Sequence, residues 1–400
     1  MAWHGRSIKV EGFASDTGET HVQDVLRGDG TSGLYRLKRA PMIGGIEVIT
    51  LVTRDRLHTE RVLQRLTLMR FLDYSIDYDR GTLLFKQPVL SSDNQFNPVF
   101  IEVTYDVEGA SGGKDLVTGM RTSVHSPDQT SEAGVTVLRD NAAGENLSLN
   151  AVDLHWRLGT STTVTVEVAQ SRSDSVKPAE AYIASVDHRG EKLGGQIYFR
   201  QQDAEFGVGL SGATEVDTLK YGVESEYRFN DALMVRAQAF RQETMEQGDQ
   251  RDAVGVEGRY AQGATVYCTA LQSVRETAVS GEDLSSDLLG LGVARSFFDG
   301  RLGMRVDSDV NLRGGAGSAS YPDRTVVGAE YTLDDAITLL LEQELSSGGY
   351  GDARQTRVGV RTRPWTGHHM ESWVGQEMTE NGPRLFANTG LVQQWQVSPH

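Results

Sequence analysis

The stretch Ala151–Ala169 reads AVDLHWRLGTSTTVTVEVA. Val152, Leu154, Trp156 and Leu158 alternate with Asp153, His155 and Arg157; beyond Gly159-Thr160, Val164, Val166 and Val168 alternate with Thr163, Thr165 and Glu167. Neighbouring side chains of a strand point to opposite faces, so a period of two gives each stretch one apolar and one polar face. A helical period of 3.6 would mix the two sets. The stretch is therefore predicted to be two strands joined by a short turn.

The pattern recurs downstream. Val223, Tyr227 and Phe229 oppose Glu224, Glu226 and Arg228, and Val327, Ala329, Tyr331 and Leu333 oppose Glu330 and Thr332. Short turns are predicted near Gly159-Thr160, Gly190-Glu191, Asn230-Asp231, Gln262-Gly263, Asp299-Gly300, Asp334-Asp335 and Thr366-Gly367. Longer polar segments lie between them: Arg172–Glu180, Asp203–Asp217, Thr244–Asp252, Glu276–Asp287, Asn311–Asp323 and Ser346–Arg354. Strands of about 9–11 residues, with tight turns at one end and long loops at the other, suit an up-and-down barrel crossing a bilayer. Successive short turns are roughly 30–40 residues apart, a weak internal repeat visible in GVESEYRFNDALMVRAQ and GAEYTLDDAITLLLEQE. With residues 135–138 and 385–395 as additional strands, the expectation is about 14–16 strands.

Trp156, Tyr227, Tyr260, Phe298, Tyr331 and Trp365 all fall within a few residues of a short turn, where an interfacial aromatic girdle would place them. A general preference of aromatics for strands would also put some there. The hairpin at Gly190 has Asp187-His188-Arg189 instead. On the polar faces, Glu224, Glu226, Arg228, Arg236, Gln238, Glu257, Arg259, Arg361 and Arg363 are the candidate lumen-facing residues. They suit a pore lining and the polar filling of a plugged or narrow barrel equally.

Composition narrows the functional classes. The 400 residues carry a net charge of −16, which argues against a basic nucleic-acid surface. No apolar run reaches the roughly 18 residues of a membrane helix. The single cysteine, Cys268, excludes an intramolecular disulfide framework and a multi-cysteine metal site. MAWHGRSIKV has no apolar signal core, so either the chain is cytoplasmic or the sequence begins downstream of the secretion signal; with the barrel pattern above, truncation is the expectation.

Residues 108–134, which include the polar, glycine-rich EGASGGKDLVTGMRTSVHSPDQTSEAG, read as a linker. Residues 1–107 before it read as a β-sandwich-like module, and residues 135–400 after it as the barrel. Strands in the module are expected in Gly45–Arg54, Leu66–Asp73, Ser75–Tyr78, Thr82–Phe85 and Pro98–Tyr105, with Gly81 closing the turn Asp79-Arg80-Gly81 at positive φ.

The module carries a recognisable series: RGDGTSGLYRL at Arg27–Leu37, TRDR at Thr53–Arg56, FLDYSIDYDRGTLLFKQPV at Phe71–Val89 and NPVFIEVTYDV at Asn97–Val107. It resembles the β-rich extension module that precedes the barrel in a group of large bacterial outer-membrane proteins. The resemblance covers about residues 10–107 closely and the barrel only in its general pattern. It implies a surface or transport-associated location more than an activity. The end, Gln396-Val397-Ser398-Pro399-His400, lacks the terminal aromatic strand signal of that group, so both ends are expected to be cut.

Candidate chemical sites are weak. Gly28-Asp29-Gly30-Thr31-Ser32-Gly33 lacks the lysine of a phosphate loop and reads as a structural turn. Asp73, Asp77, Asp79 and Asp93 do not have calcium-loop spacing. His368-His369 point to opposite faces of a strand, and Cys268 has no base near it in sequence. No catalytic, cofactor or metal residue is therefore assigned. The expectation is a non-enzymatic, porin-like outer-membrane protein acting as pore, passive transporter or surface scaffold. Its partners would be membrane lipid, the barrel-insertion machinery and a periplasmic or extracellular protein, without nucleic acid. The alternative is a soluble multi-β binding or adhesion protein, which predicts neither the alternation of connection lengths nor aromatics beside the short turns.

Overall fold

The computed structural model describes residues 2–4, 7–16, 19–71, 73–86, 89–93, 97–108, 116–140, 146–174, 177–206, 216–278, 283–313, 321–348, 352–363, 368–379 and 382–393. Among them the regular elements are all strands. They are β1 (Ala2–His4), β2 (Ile8–Asp16), β3 (Glu19–Arg27), β4 (Tyr35–Arg36), β5 (Val48–Arg54), β6 (Val62–Thr67), β7 (Tyr74–Asp77), β8 (Thr82–Phe85) and β9 (Val99–Glu108). There follow β10 (Leu116–His125), β11 (Ser131–Asp140), β12 (Leu147–Leu158), β13 (Thr162–Arg172), β14 (Ala179–Arg189), β15 (Leu193–Gln202), β16 (Thr218–Arg228), β17 (Leu233–Thr244) and β18 (Gln250–Gln262). The last are β19 (Thr265–Thr277), β20 (Asp283–Phe297), β21 (Leu302–Asn311), β22 (Asp323–Asp334), β23 (Ile337–Ser347), β24 (Ala353–Thr362), β25 (His368–Thr379) and β26 (Gly382–Gln393).

Among the described residues, the sixteen strands from β11 to β26 meet the upper end of the expected count, and β1, β2 and β10 bring the large antiparallel sheet to nineteen. Contacts divide the chain into two units: residues 1–190, 195–223 and 241–250 form the first, and residues 191–194, 224–240 and 251–400 the second.

In the first unit, β2 lies directly beside β10, in antiparallel register from Leu116 opposite Asp16 to Val124 opposite Ile8. The meander then runs β10-β11-β12-β13-β14 by consecutive antiparallel pairs. This corrects the expected division of the chain. The supposed linker contains β10 and the start of β11, and β2 belongs to the large sheet rather than to the module. Gly119, one of the glycines that make this stretch look irregular, has a packing role. The Phe13 ring of β2 lies where a side chain on Gly119 of β10 would stand, so the glycine is what lets the ring cover the neighbouring strand.

Between β2 and β10, residues 17–115 contain β3 to β9. They form a four-stranded sheet in the order β3-β9-β5-β6 and a three-stranded one in the order β4-β8-β7. Tyr35, Tyr74, Leu83 and Phe85 of the smaller sheet and Ile49, Ile101, Val103 and Tyr105 of the larger share one buried cluster. Each such apolar side chain contributes about 1.5–3 kcal/mol by burial, so this body has a core of its own. The expected turn is present: Asp77 Oδ1 accepts the Arg80 N–H at 3.0 Å, and Gly81 has φ of 61°. A side chain there would stand 3.2 Å from the Arg39 carbonyl, in a conformation that L residues rarely adopt. Among the motif residues, Asp29 accepts from the Thr31 N–H at 2.9 Å and from the Tyr35 hydroxyl at 2.5 Å, making the Arg27–Leu37 stretch a hydrogen-bonded turn.

One buried polar pair ties this body together. Asp24, fully buried, accepts hydrogen bonds from the Tyr105 hydroxyl at 3.0 Å and the Lys38 N–H at 2.7 Å. Burial, with the Asp24 charge beside it, pushes the Tyr105 phenol up to about 12. A raised folded pKa means that the folded state holds the proton more tightly. The stabilisation is then complete below the ordinary tyrosine value of about 10 and is lost as pH rises from there through 12. Denaturant titrations of the full chain are expected to show stability falling across that window, and falling less steeply in Tyr105→Phe. Parallel curves for the two proteins would refute this linkage.

In the second unit β19 to β26 pair consecutively and antiparallel. The short connections are as expected: residues 263–264, 298–301 and 335–336 here, and 159–161 in the first unit. Thr366-Gly367 lies outside the described residues.

Candidate functional site: a charged sheet face and the loop seated on it

The polarity of the large sheet is inverted relative to a protein folded around an apolar interior. In β12 Val152 is 58% exposed and Trp156 47%, while Asp153 between them is 6% exposed. The register extends this across strands: Val152 faces Val168, Leu154 faces Val166, and Asp153 faces Glu167. In the second unit Leu339, Leu341 and Leu345 are exposed on β23, whereas Glu342 is buried. Leaving rows of large apolar side chains on an outer surface costs about 25 cal/mol per Å² in water. Burying carboxylates is costly unless they are paired and hydrogen-bonded.

The polar face meets that requirement with rows of ion pairs. In the first unit, Arg121 of β10 crosses β11 and grips Asp153 of β12 through both guanidinium nitrogens, with a further contact to Glu132 at 3.3 Å. Its path runs over Gly134 of β11, where any side chain would collide with the guanidinium. The second unit repeats the arrangement. Arg305 of β21 passes over Gly328 of β22 to Glu342 of β23, which also binds Arg357 of β24. The register aligns these four positions: Arg305 faces Gly328, Gly328 faces Glu342, and Glu342 faces Arg357. Glycine on the middle strand lets a long guanidinium span two strand intervals and reach a carboxylate. Further pairs lie on Arg324 and Glu344 at 2.9 Å and on Arg251 and Glu276 at 2.7 Å.

Several residues singled out from the sequence join these rows. Glu226 pairs with Arg236 at 2.7 Å and Arg228 at 3.3 Å, and Arg361 pairs with Glu371 at 2.7 Å. Glu224 and Gln238 are half-buried, while Glu257, Arg259 and Arg363 are exposed. Of the aromatic candidates, Trp156, Tyr227, Tyr260, Phe298 and Tyr331 are all exposed, and Trp365 lies outside the described residues. Tyr260 stacks on Tyr267 across a short turn, and Tyr227 meets Phe229 edge to face. The two exposed partners, Phe229 and Tyr267, are aromatics beside short turns that were not among the girdle candidates.

The sequence reading also missed a contact within the first unit, between the β5–β6 loop and strands β15 and β16. The loop is held in shape from within. Asp55 Oδ1 accepts the Leu57 and His58 N–H groups at 2.8 Å each, and Arg54 donates to the Thr59 carbonyl at 2.9 Å. Arg54 is itself held by Glu102 at 2.7 Å. The loop delivers Glu60 between Lys220 of β16, at 2.9 Å, and Arg200 of β15, at 2.8 Å. Lys220 also donates to the Leu57 carbonyl at 3.3 Å, and the His58 ring meets Tyr198 edge to face at 6.4 Å between centroids. Lys220, His58 and Tyr198 are all buried. Lys220 was legible in principle, since it shares the two-residue register of Glu224, Glu226 and Arg228; nothing in the sequence pointed to Glu60.

No family model matches the chain, and no curated protein is similar to it. Similar solved structures include the P pilus usher translocation pore, 12% identical over 98% of this chain and 84% of that one, with a TM-score of 0.48. Another is the FrpB iron transporter from Neisseria meningitidis (F3-3 variant), 9% identical over 69% of this chain and 61% of that one, with a TM-score of 0.40. A triple-mutant Rhodopseudomonas blastica porin is 10% identical over 64% of this chain and 91% of that one, with a TM-score of 0.35.

Proposed function

We propose that this chain is an outer-membrane β-barrel protein that acts as a channel or passive transporter without enzymatic chemistry of its own. The observation that carries the reading is the inverted polarity: exposed apolar side chains on one face of the strands and paired, partly buried charges on the other. Lipid turns the first from a liability into a solvation match, and a water-filled or polar-filled interior accommodates the second. On this reading Glu224, Glu226, Arg228, Arg236, Gln238, Glu257, Arg259, Arg361 and Arg363 face the lumen. Trp156, Tyr227, Tyr260, Phe298, Tyr331 and Trp365 belong to the interfacial girdle. Assembly would need the barrel-insertion machinery, and the long loops offer surface for a protein partner on one side of the membrane.

The test is to refold the full chain into detergent, compare boiled and unboiled samples on a semi-native gel, and record current across planar bilayers. A heat-modifiable band with ion conductance is the expected result. A folded β spectrum in detergent-free buffer, with no band shift, would instead favour a soluble multi-β binding protein. A band shift without conductance would leave a surface scaffold.

A further inference from the structure

We propose that the body inserted between β2 and β10 is a removable plug for the polar face, latched there by the Glu60 carboxylate between Lys220 and Arg200. The inference rests on the channel reading and adds its regulation. Four observations carry it. First, β2 and β10 are paired neighbours, so residues 17–115 leave and re-enter the sheet at the same end, at adjacent strands. Such a connection tethers a body without making it part of the wall. Second, that body has its own buried cluster of Tyr35, Ile49, Leu83, Ile101, Val103 and Tyr105, so it can shift without unfolding.

Third, the body meets the strands through a short loop whose shape is set by internal hydrogen bonds from Asp55 and Arg54. Fourth, the groups it meets belong to the polar face. Tyr198 and Arg200 alternate with exposed Ile197 and Phe199 on β15, and Lys220 alternates with exposed Tyr221 on β16.

The chemistry of the contact suits a latch. For a buried ion pair, desolvation nearly offsets attraction, so the closed and open arrangements stay close in free energy, with the charges hydrated when apart. An apolar weld of the same size would hold the body permanently. Loss of one partner is a different matter, because it strands the other charge without compensation. Glu60→Gln therefore destabilises the seated state specifically: it removes the carboxylate that the fully buried Lys220 ammonium and Arg200 share.

The test uses the full-length protein in planar bilayers, with the heat-modifiable band as the check of folding. The parent is expected to be mostly closed. Glu60→Gln is expected to raise the ratio of open to closed time roughly 100-fold, the order that loss of a buried partner supports. Adding Lys220→Met removes one of the two cations that Glu60 binds and is expected to recover part of the closure, a rescue that a general loosening of the fold would not produce. If Glu60→Gln fails to refold, Arg200→Gln probes the same seat from the strand side. Equal, non-zero currents in the parent and its folded variants would overturn the plug and leave the channel reading intact. No current in any folded protein would overturn the channel reading and the plug with it.

Discussion

Val152→Arg is expected to destabilise the lipid- or detergent-folded protein by about 2–4 kcal/mol, the cost of a guanidinium on the lipid face near mid-membrane depth. Val152 stands midway along β12, is 58% exposed, and pairs with exposed Val168 on β13. In a soluble protein a side chain this exposed would accept arginine with little change, since surface substitutions usually fall within about 0.5 kcal/mol. The two readings of the chain therefore predict results that differ well beyond error. The matched control is Thr163→Arg on the polar face of β13, between Arg157 on one neighbour and Asp187 on the other, where a change below about 1 kcal/mol is expected. Urea titrations of the refolded protein in phospholipid vesicles would give both values. If Val152→Arg proves neutral there, the apolar face does not meet lipid and the membrane assignment fails.

The second large effect is expected at Glu342, because one carboxylate serves two guanidinium groups. Arg305 and Arg357 both bind it, and its side chain is 10% exposed. Glu342→Ala would leave two like charges facing each other across β23, with Arg305 keeping only the longer contact to exposed Asp307 at 3.6 Å among its described ion pairs. Breaking a buried pair by removing one partner costs about 3–5 kcal/mol, and the 41% exposure of Arg305 puts the expected loss at or below the lower end of that range. The same variant tests function. If this face lines the conducting path, removing a negative charge there shifts reversal potentials under a salt gradient towards anion preference. A stability loss without a selectivity change would place Glu342 in the wall but away from the path of ions. Glu342→Gln, which keeps the volume and some hydrogen bonding, is expected to lose less stability while moving selectivity in the same direction.

Each property of the sheet that depends on two or three adjacent residues was legible in the sequence. The alternation around Val152 to Leu158 and Val164 to Val168 predicted β12 and β13, and Gly159-Thr160 predicted the turn between them. Strand direction and side-chain face follow from backbone geometry that every residue shares, so a period of two is visible without knowing any partner. Likewise Gly81 declared its turn, because only the absence of a β-carbon makes that backbone conformation inexpensive.

The tertiary structure alone decided which strands are neighbours and what the polar face holds. β2 and β10 are weak strands by pattern, with Gly12 opposite Met120 and Gly119 opposite Phe13, and they become partners only by closing a loop over the inserted body. Glycines 134 and 328 look like flaws in alternating strands until Arg121 and Arg305 are seen lying across them. Glu60 and Lys220 are 160 residues apart, so no local period relates them. Register across a sheet and the seating of one body on another depend on loop closure and on the fit of distant surfaces. Those energies are spread over many contacts, and no short stretch of sequence carries their signature.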